Sequence, residues 1–294
     1  MAAKENVTIN AAAISHIGNI RTNNEDNFFM DGQIMAREQV NKGCRVHTRQ
    51  TDSFHLFAIC DGMGGLEGGE RASWIGVTGL RDIYRPIEEQ DLRVAVRQYA
   101  MKATEAVLAD AAKNGKSQKE GTTMALLYLR HDAGYAANIG DSRIYLLRKG
   151  CLSQITRDHS RVFQMMLKGE LTREQMRKHP RANAISHYIG MPKEKINEAY
   201  IYSVEFDLAE GDRFLICSDG LSDLISFEQI ERMLGAGKEP MQTAEDLVLE
   251  ALELGGKDNT TVLVIDIMGK HLKEKPVGEL PGMDAEEENS PTAN

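Results

Sequence analysis

Residues 58–73 read AICDGMGGLEGGERAS: an apolar run closing on Asp61, five glycines among positions 62–69, and then a stretch that can start a helix. Glycine costs backbone entropy and offers nothing to pack. So dense a cluster implies either close approach to a ligand or backbone angles that other residues avoid. Asp61, at the end of a strand and in front of that cluster, is the first candidate for chemistry.

Working outward, short apolar or alternating runs bounded by Gly, Asp or Asn predict strands near 9–17, 26–30, 54–60, 121–130, 134–140, 142–149, 200–206, 212–218 and 260–267. The segment after Gly69 reads as a helix through Trp74, Val77 and Ile83 to a stop at Pro86. Leu92, Val96, Tyr99, Ala103, Ala106 and Val107 keep the three-and-four spacing of a one-sided helix. Two further helices carry capping-box starts, Thr172-Arg-Glu-Gln175, ending at Pro180, and Ser226-Phe-Glu-Gln229. Strands and helices do not alternate regularly, so an antiparallel α+β layered fold is expected rather than a parallel sheet.

The 294 residues, 41% of them hydrophobic, are enough for one large or two small domains with a full core. A net charge of −9 argues against a nucleic-acid groove or an anionic membrane as the main partner. Cys44, Cys60, Cys151 and Cys217 stand far apart, with Cys60 and Cys217 inside apolar runs, so buried reduced thiols in a reducing compartment are expected. No window has the length of a signal or a membrane span, which predicts a soluble cytoplasmic protein. From Lys270 onward, Pro, Gly and an acidic run predict a disordered tail over 270–294, leaving a domain over 1–269.

Three other acidic positions look like Asp61: Glu25-Asp26 ahead of an apolar pair, Asp219 closing FLICS, and Asp258 just before the last strand. One aspartate at a strand end is an ordinary turn former; four such positions are a pattern. Carboxylates gathered with few histidines or cysteines suit hard cations such as Mg²⁺ or Mn²⁺. Two such ions about 3.5–4 Å apart can share a carboxylate and acidify a bridging water. Glycine beside Asp61 would let the Gly62 carbonyl approach a metal.

The strings RTNNED, DGMGG, GTT, NIGDSR, SDGLSD and KDNTT, in that order over residues 14–267, resemble the metal-dependent Ser/Thr protein phosphatase family, type 2C. The resemblance implies an α-β-β-α sandwich, two packed antiparallel sheets flanked by helices. It also implies hydrolysis of phosphoserine and phosphothreonine in proteins by water activated at a binuclear Mn²⁺ or Mg²⁺ centre. Carried over residue by residue, Asp61 bridges the two ions, Gly62 gives its carbonyl, Asp219 and Asp258 complete a shell, and Glu25 and Asp26 contact the outer shell. Arg21 occupies the phosphate-holding position, where a planar guanidinium suits a phosphoryl group. Asp141, from GDSR, corresponds to a ligand of a weaker third ion in some bacterial members; between Gly and Ser it is equally a hairpin residue. Many eukaryotic members have a His after the DG; Met63 stands there and cannot donate a proton, which is closer to the bacterial branch. His16, His159 and His179 have no assigned role.

Residues 157–195 correspond to the family's flap and carry Arg161, Lys168, Arg173, Arg177, Lys178 and Arg181, either a solvated face or a surface for phosphopeptides and acidic partners. The implied partners are phosphoproteins that are substrates of a Ser/Thr kinase, met by a signalling enzyme that is monomeric and free of nucleic acid and membrane. Three rival readings exist. The glycine loop superficially resembles a nucleotide-phosphate cradle but lacks the full fingerprint. Cys151 and Arg157 satisfy a bare Cys-x5-Arg thiol-phosphatase spacing without a glycine-turned loop. A non-catalytic phosphoprotein-binding module of the same fold is the third, against which the intact carboxylate set argues.

Overall fold

A computed structural model describes residues 6–36, 39–64, 68–87, 89–114, 120–269 and 272. The chain opens with β1 (Val7–His16), β2 (Asp26–Met30), β3 (Gln33–Ile34), β4 (Cys44–Asp52) and β5 (Phe54–Met63). Helices α1 (Gly68–Gly79) and α2 (Glu89–Lys113) follow. Then come β6 (Gly121–Thr122), β7 (Met124–Arg130), β8 (Ala133–Ile139), β9 (Arg143–Arg148) and β10 (Cys151–Gln154), and two short helices, α3 (Arg161–Leu167) and α4 (Arg173–Arg177). The last third holds β11 (Tyr202–Asp207), β12 (Arg213–Cys217), α5 (Asp219–Ser222), α6 (Phe227–Leu234), α7 (Pro240–Glu253) and β13 (Thr260–Met268).

Two antiparallel sheets result. One runs β10-β9-β12-β13-β1-β4, the other β11-β8-β7-β5-β2-β3 with β6 attached to β5. Side chains alternate faces along a strand, which settles what each sheet covers. Along β5, Phe57 and Ile59 point between the sheets, where they meet Ile9, Ala11 and Ala13 of β1, while Leu56, Ala58 and Cys60 face α1 and α2. On the other sheet Leu215, Val262 and Val264 face outward onto α6 and α7. Both sheets are buried on both sides, so these strands read as continuous apolar runs. The architecture is the α-β-β-α sandwich. Replacing a fully buried side chain such as Phe57 with Ala would cost about 3–5 kcal/mol.

Both capping boxes are made. Thr172 accepts from the Gln175 amide at 3.2 Å while Gln175 accepts from the Thr172 amide at 2.8 Å, and Ser226 and Gln229 repeat the arrangement at 3.2 and 3.0 Å. Besides the short β3 and α5, three elements go beyond the sequence expectation. β4 is an edge strand whose side chains mostly alternate half-buried and exposed, β10 is a four-residue edge strand, and α7 starts with Pro240 in its first turn. The expected tail lies outside the described residues except for Leu272, which is 5% exposed in the core between the sheets.

At one end of the sandwich two arginines and two aspartates pair with each other. Arg148 donates Nε and Nη2 to the two carboxylate oxygens of Asp212 at 2.7 and 2.6 Å, both side chains being buried. Arg213 makes the same fork with Asp266 and also donates to the carbonyls of Leu234 and Lys238. The acidic residues singled out in the sequence gather at the other end.

Candidate active site

The site is assembled from strand ends. Asp26 opens β2 and Asp61 lies near the end of β5, and antiparallel pairing sets the two directly opposite each other. Asp141 precedes β9, Asp219 follows β12 and Asp258 precedes β13. All five therefore lie along one edge of the two sheets. Asp61 is crowded by Asp26, Asp219, Asp141 and Asp258.

The strings quoted from the sequence supply the hydrogen bonds of this edge. The GTT string holds Asp61 by its backbone: Thr123 Oγ1 accepts from the Asp61 amide at 2.9 Å, and the Asp61 carbonyl accepts from Thr122 Oγ1 and the Thr123 amide. Thr123 in turn shares a hydroxyl bond with Ser142 of GDSR at 2.7 Å. Asn259 stitches the first and last strings together, accepting from the Glu25 amide and donating to the carbonyls of Ile17 and Asn23. Ser218 donates to Asp26 Oδ2 at 2.8 Å and accepts from the Thr261 amide at 3.0 Å.

The glycines have a physical cause. A Cβ on Gly62 would run into the carbonyl oxygens of Gly69 and Glu25, and one on Gly69 would come within 2.6 Å of the Glu25 carboxyl carbon. The strand end and the helix start are pressed together at a distance only glycine allows. Gly62 and Met63 still belong to β5 and pair with β6, and the neighbouring strands are antiparallel. A nucleotide cradle between parallel strands is thereby ruled out.

Electrostatics distinguishes this edge. Burial, followed by its acidic neighbours, pushes the Asp61 carboxyl well above the ordinary range, and Asp219 likewise. Burial raises Asp141 to about 7, with Asp158 adding to the shift, and raises Asp26 to about 6 against the opposing Thr261 and Ser218 hydroxyls. Asp61, Asp141 and Asp219 are nevertheless partly accessible, as expected for carboxylates lining an open cleft. Asp26 Oδ1 is buried without a hydrogen-bond partner among the described residues. So many adjacent carboxylates can ionise together only if cations compensate them; otherwise some keep their protons. An all-oxygen donor set of this kind fits Mg²⁺ or Mn²⁺ and does not favour zinc, which prefers Cys and His. Among the described residues no three of these groups close on one point, so the geometry supplies adjacent donors and not a finished cage.

Arg21 sits at the mouth, about half exposed, with Nη2 2.5 Å from Asp258 Oδ2. Its direct partner is thus Asp258, not the neighbouring Glu25 or Asp26. Glu25 is raised by burial, with Arg21 opposing, and accepts from the Gly69 amide. The histidines do other work: His16 accepts from the Gly18 amide, and His159, lowered to about 4 by burial, accepts from the Gly140 amide. Cys60 and Cys217 are buried with thiols pushed up to about 12, which makes them inert. Cys151 sits in β10 against the core and Arg157 lies over the Tyr202 ring, so the Cys-x5-Arg spacing forms no cradle.

Sequence reasoning did not single out Asp158 and Asp223. Asp158 is buried and takes Arg143 in a fork at 2.6–3.1 Å. Asp223 accepts from Asn183 of the flap at 2.9 Å and lies one helical turn beyond Asp219. That i,i+4 spacing within SDGLSD was a readable signal for Asp223; nothing comparable marks Asp158.

The profile of the family described as Protein phosphatase 2C matches residues 39–252. The chain is 31% identical over 271 residues to the serine/threonine protein phosphatase PstP of Mycobacterium tuberculosis, covering 90% of this chain and 46% of that one. It is 28% identical over 253 residues to the serine/threonine phosphatase stp of Listeria monocytogenes, covering 85% and 92%. The crystal structure of the M. tuberculosis phosphatase superposes with a TM-score of 0.74 at 30% identity, covering 89% of this chain and 100% of that one. The catalytic domain of PstP in complex with 2 manganese ions superposes at 0.71 and 30% identity, covering 90% and 100%.

Proposed function

The chain belongs to the protein phosphatase 2C family, and from that premise we infer which of its residues carry the reaction. It is a serine/threonine protein phosphatase, a hydrolase of phosphoric monoesters that works with a binuclear Mn²⁺ or Mg²⁺ centre. Asp61, the Gly62 carbonyl, Asp219 and Asp258 would hold the two ions, Glu25 and Asp26 would brace them, and Asp141 would serve a third. When bound, the ions neutralise phosphoryl charge and acidify water.

The rest falls to the side chains. Arg21 grips the substrate phosphate through paired charge-assisted hydrogen bonds, on a loop tied by Asn259 to the strand that follows Asp258. Its contact with Asp258 keeps the guanidinium at the mouth of the cleft, facing the carboxylate edge. Met63 offers no proton to the leaving alkoxide, so that proton comes from water or from another group. No side-chain nucleophile is used and no phosphoenzyme forms. Residues 157–195 form the flap and 1–269 the phosphatase domain. The partners are phosphoproteins made by a Ser/Thr kinase, and the enzyme acts in signalling as a cytoplasmic monomer. No helix among the described residues is long and apolar enough to cross a membrane.

The observation that carries the assignment is the row of acidic strand ends on one edge, too many to ionise without a cation. Hydrolysis of a phosphothreonine peptide should require added Mn²⁺ or Mg²⁺ and stop in excess chelator. Full turnover in chelator, or a trapped phosphocysteine at Cys151, would overturn it.

A further inference from the structure

The loop between β1 and β2 is fixed on both sides of a side chain that the fold does not use. His16 accepts from the Gly18 amide at 3.0 Å, and the Asn19 amide donates to the Gly256 carbonyl at 2.7 Å. The Asn19 side chain donates to the Leu252 and Gly255 carbonyls at the end of α7, at 2.9 and 3.3 Å. Asn259 adds two more bonds, donating to the Ile17 and Asn23 carbonyls at 2.9 Å each. Gly18, at φ +84°, lies so close to the last strand that a Cβ there would strike the Asp258 carbonyl. The backbone around Ile20 is thereby held to the segment, 252–259, that carries Asp258.

On this held loop Ile20 is 68% exposed, the most of any large apolar side chain among the described residues. A single exposed apolar residue is ordinary on a protein surface, so exposure alone assigns nothing. Position does. Ile20 directly precedes Arg21, whose guanidinium stands on Asp258 at the mouth of the cleft, and consecutive Cα atoms are only about 3.8 Å apart. Leu254, 43% exposed, precedes Gly255, the carbonyl of which anchors Asn19. Two of the four large apolar side chains left exposed among the described residues therefore belong to this one junction. A polypeptide that brings a phosphorylated side chain to Arg21 passes within a residue's length of Ile20 and meets its exposed methyl groups. A β-branched side chain on a fixed backbone has little freedom left to lose, so contact with it costs little ordering.

We propose that Ile20 is a specificity-determining residue, packing against an apolar side chain that flanks the phosphorylated residue of the substrate. The proposal rests on the phosphatase reading, with Arg21 as the phosphate grip, and adds a sequence preference to it.

The test is steady-state kinetics on phosphothreonine peptides in which a single leucine is walked through the positions on either side, each compared with its asparagine counterpart. Wild type should prefer leucine at one position by about fourfold in kcat/KM, the worth of roughly one methylene taken out of water, expressed mainly in KM. Because no charge takes part, the preference should persist as salt rises. Ile20→Thr, which keeps the branched Cβ and removes apolar surface, should bring the ratio close to one, and Ile20→Leu should keep it. Equal rates for leucine and asparagine peptides throughout, or a preference unchanged in Ile20→Thr, would overturn the contact. So would Ile20→Thr raising KM equally for every peptide, which would make Ile20 a brace for Arg21 only. Sedimentation showing a dimer that Ile20→Thr dissolves would also overturn it, since the occupant would then be a second copy. Wild-type hydrolysis of p-nitrophenyl phosphate with Mn²⁺, which needs no flanking residue, separates the two levels. If it is present while peptide discrimination is absent, only the role of Ile20 falls; if no substrate is turned over, both readings fall.

Discussion

Strands β9, β12 and β13 lie side by side and carry acidic residues near both ends, separated by roughly 17 Å of strand. At the Arg148 end each carboxylate is answered: Asp212 by a forked arginine, Asp266 by another. At the other end Asp141, Asp219 and Asp258 face one another and Asp61, with Arg143 already committed to Asp158 and Arg21 standing at the mouth. The same strands thus present a closed set of charges and an open one. Charge that is paired within the protein serves the fold, and charge left for a cation to compensate serves chemistry.

The largest effect should come from neutralising the open end. Asp61→Asn and Asp219→Asn should each lower turnover by about three orders of magnitude, a loss typical of a missing group at a charge-stabilised transition state. Because each substitution also relieves repulsion, the metal-free variants should melt a few degrees higher than the metal-free wild type. Wild-type kcat in either variant would erase the distinction between the ends. Asp212→Asn should do the reverse. Stranding Arg148 without its counter-charge should cost about 3–5 kcal/mol in chemical denaturation, while activity per folded molecule is kept.

A smaller change belongs to Arg21, which touches both functions. Arg21→Ala should raise KM for a phosphopeptide about tenfold, and Arg21→Lys should recover only part of that. Because the guanidinium competes for Asp258, Mn²⁺ affinity in Arg21→Ala should rise by a few-fold at most, the value of an exposed ion pair. An unchanged KM would remove the phosphate grip.

Smaller still is the effect of pH on the metal-free protein. Burial raises Asp141 to about 7 in the folded state, and Asp61 and Asp219 are raised well above the ordinary carboxylate value near 3.8. Between pH 6.5 and 8 the folded state therefore binds more protons than the unfolded state, and its stability falls as pH rises. His159, lowered to about 4 by burial, and His16 and His187, also lowered, take up protons only on unfolding and so oppose the trend near pH 6.5, an opposition that fades toward pH 8 and leaves the fall clearest in the upper part of the window. Calorimetry should show Tm falling from pH 6.5 to 8 without metal, and the fall cancelled by Mn²⁺. A flat metal-free profile would mean that the carboxylates are already compensated. Truncation after Leu272, which keeps its buried side chain, should leave turnover unchanged; a large loss would extend the functional unit into the tail.

Much of this was readable in advance because two-sided burial writes itself as continuous apolar strands, such as FHLFAIC and RFLIC, and because Asp61, Asp219 and Asp258 each end or begin one. β4 was not readable in that way. Its outward residues Arg45, His47 and Arg49 dilute the apolar signal, since an edge strand needs to bury only one face. α7 did carry a signal, with Pro240 in the first turn and Ala244, Leu247, Val248 and Ala251 along one face, but no capping box announces it. At the site, the carboxylates stood out as residue types. The Arg21–Asp258 contact did not, because it joins positions 237 residues apart. The packing demand on Gly62 was likewise invisible until α1 was seen pressed against β5.

The pairing of β1 with β13 has a consequence for how the enzyme is made. Nine residues of β1, Thr8 to His16, are matched one for one with β13, at nearly the greatest separation this sequence allows. While the chain emerges from the ribosome, β1 can acquire β4 early but waits for β13 until almost everything else has been synthesised. Asp61 and Asp26 are set opposite each other early, whereas Asp219 and Asp258 join only at the end of translation. If these carboxylates form the centre as proposed, a nascent chain holds it incomplete until β13 has been made.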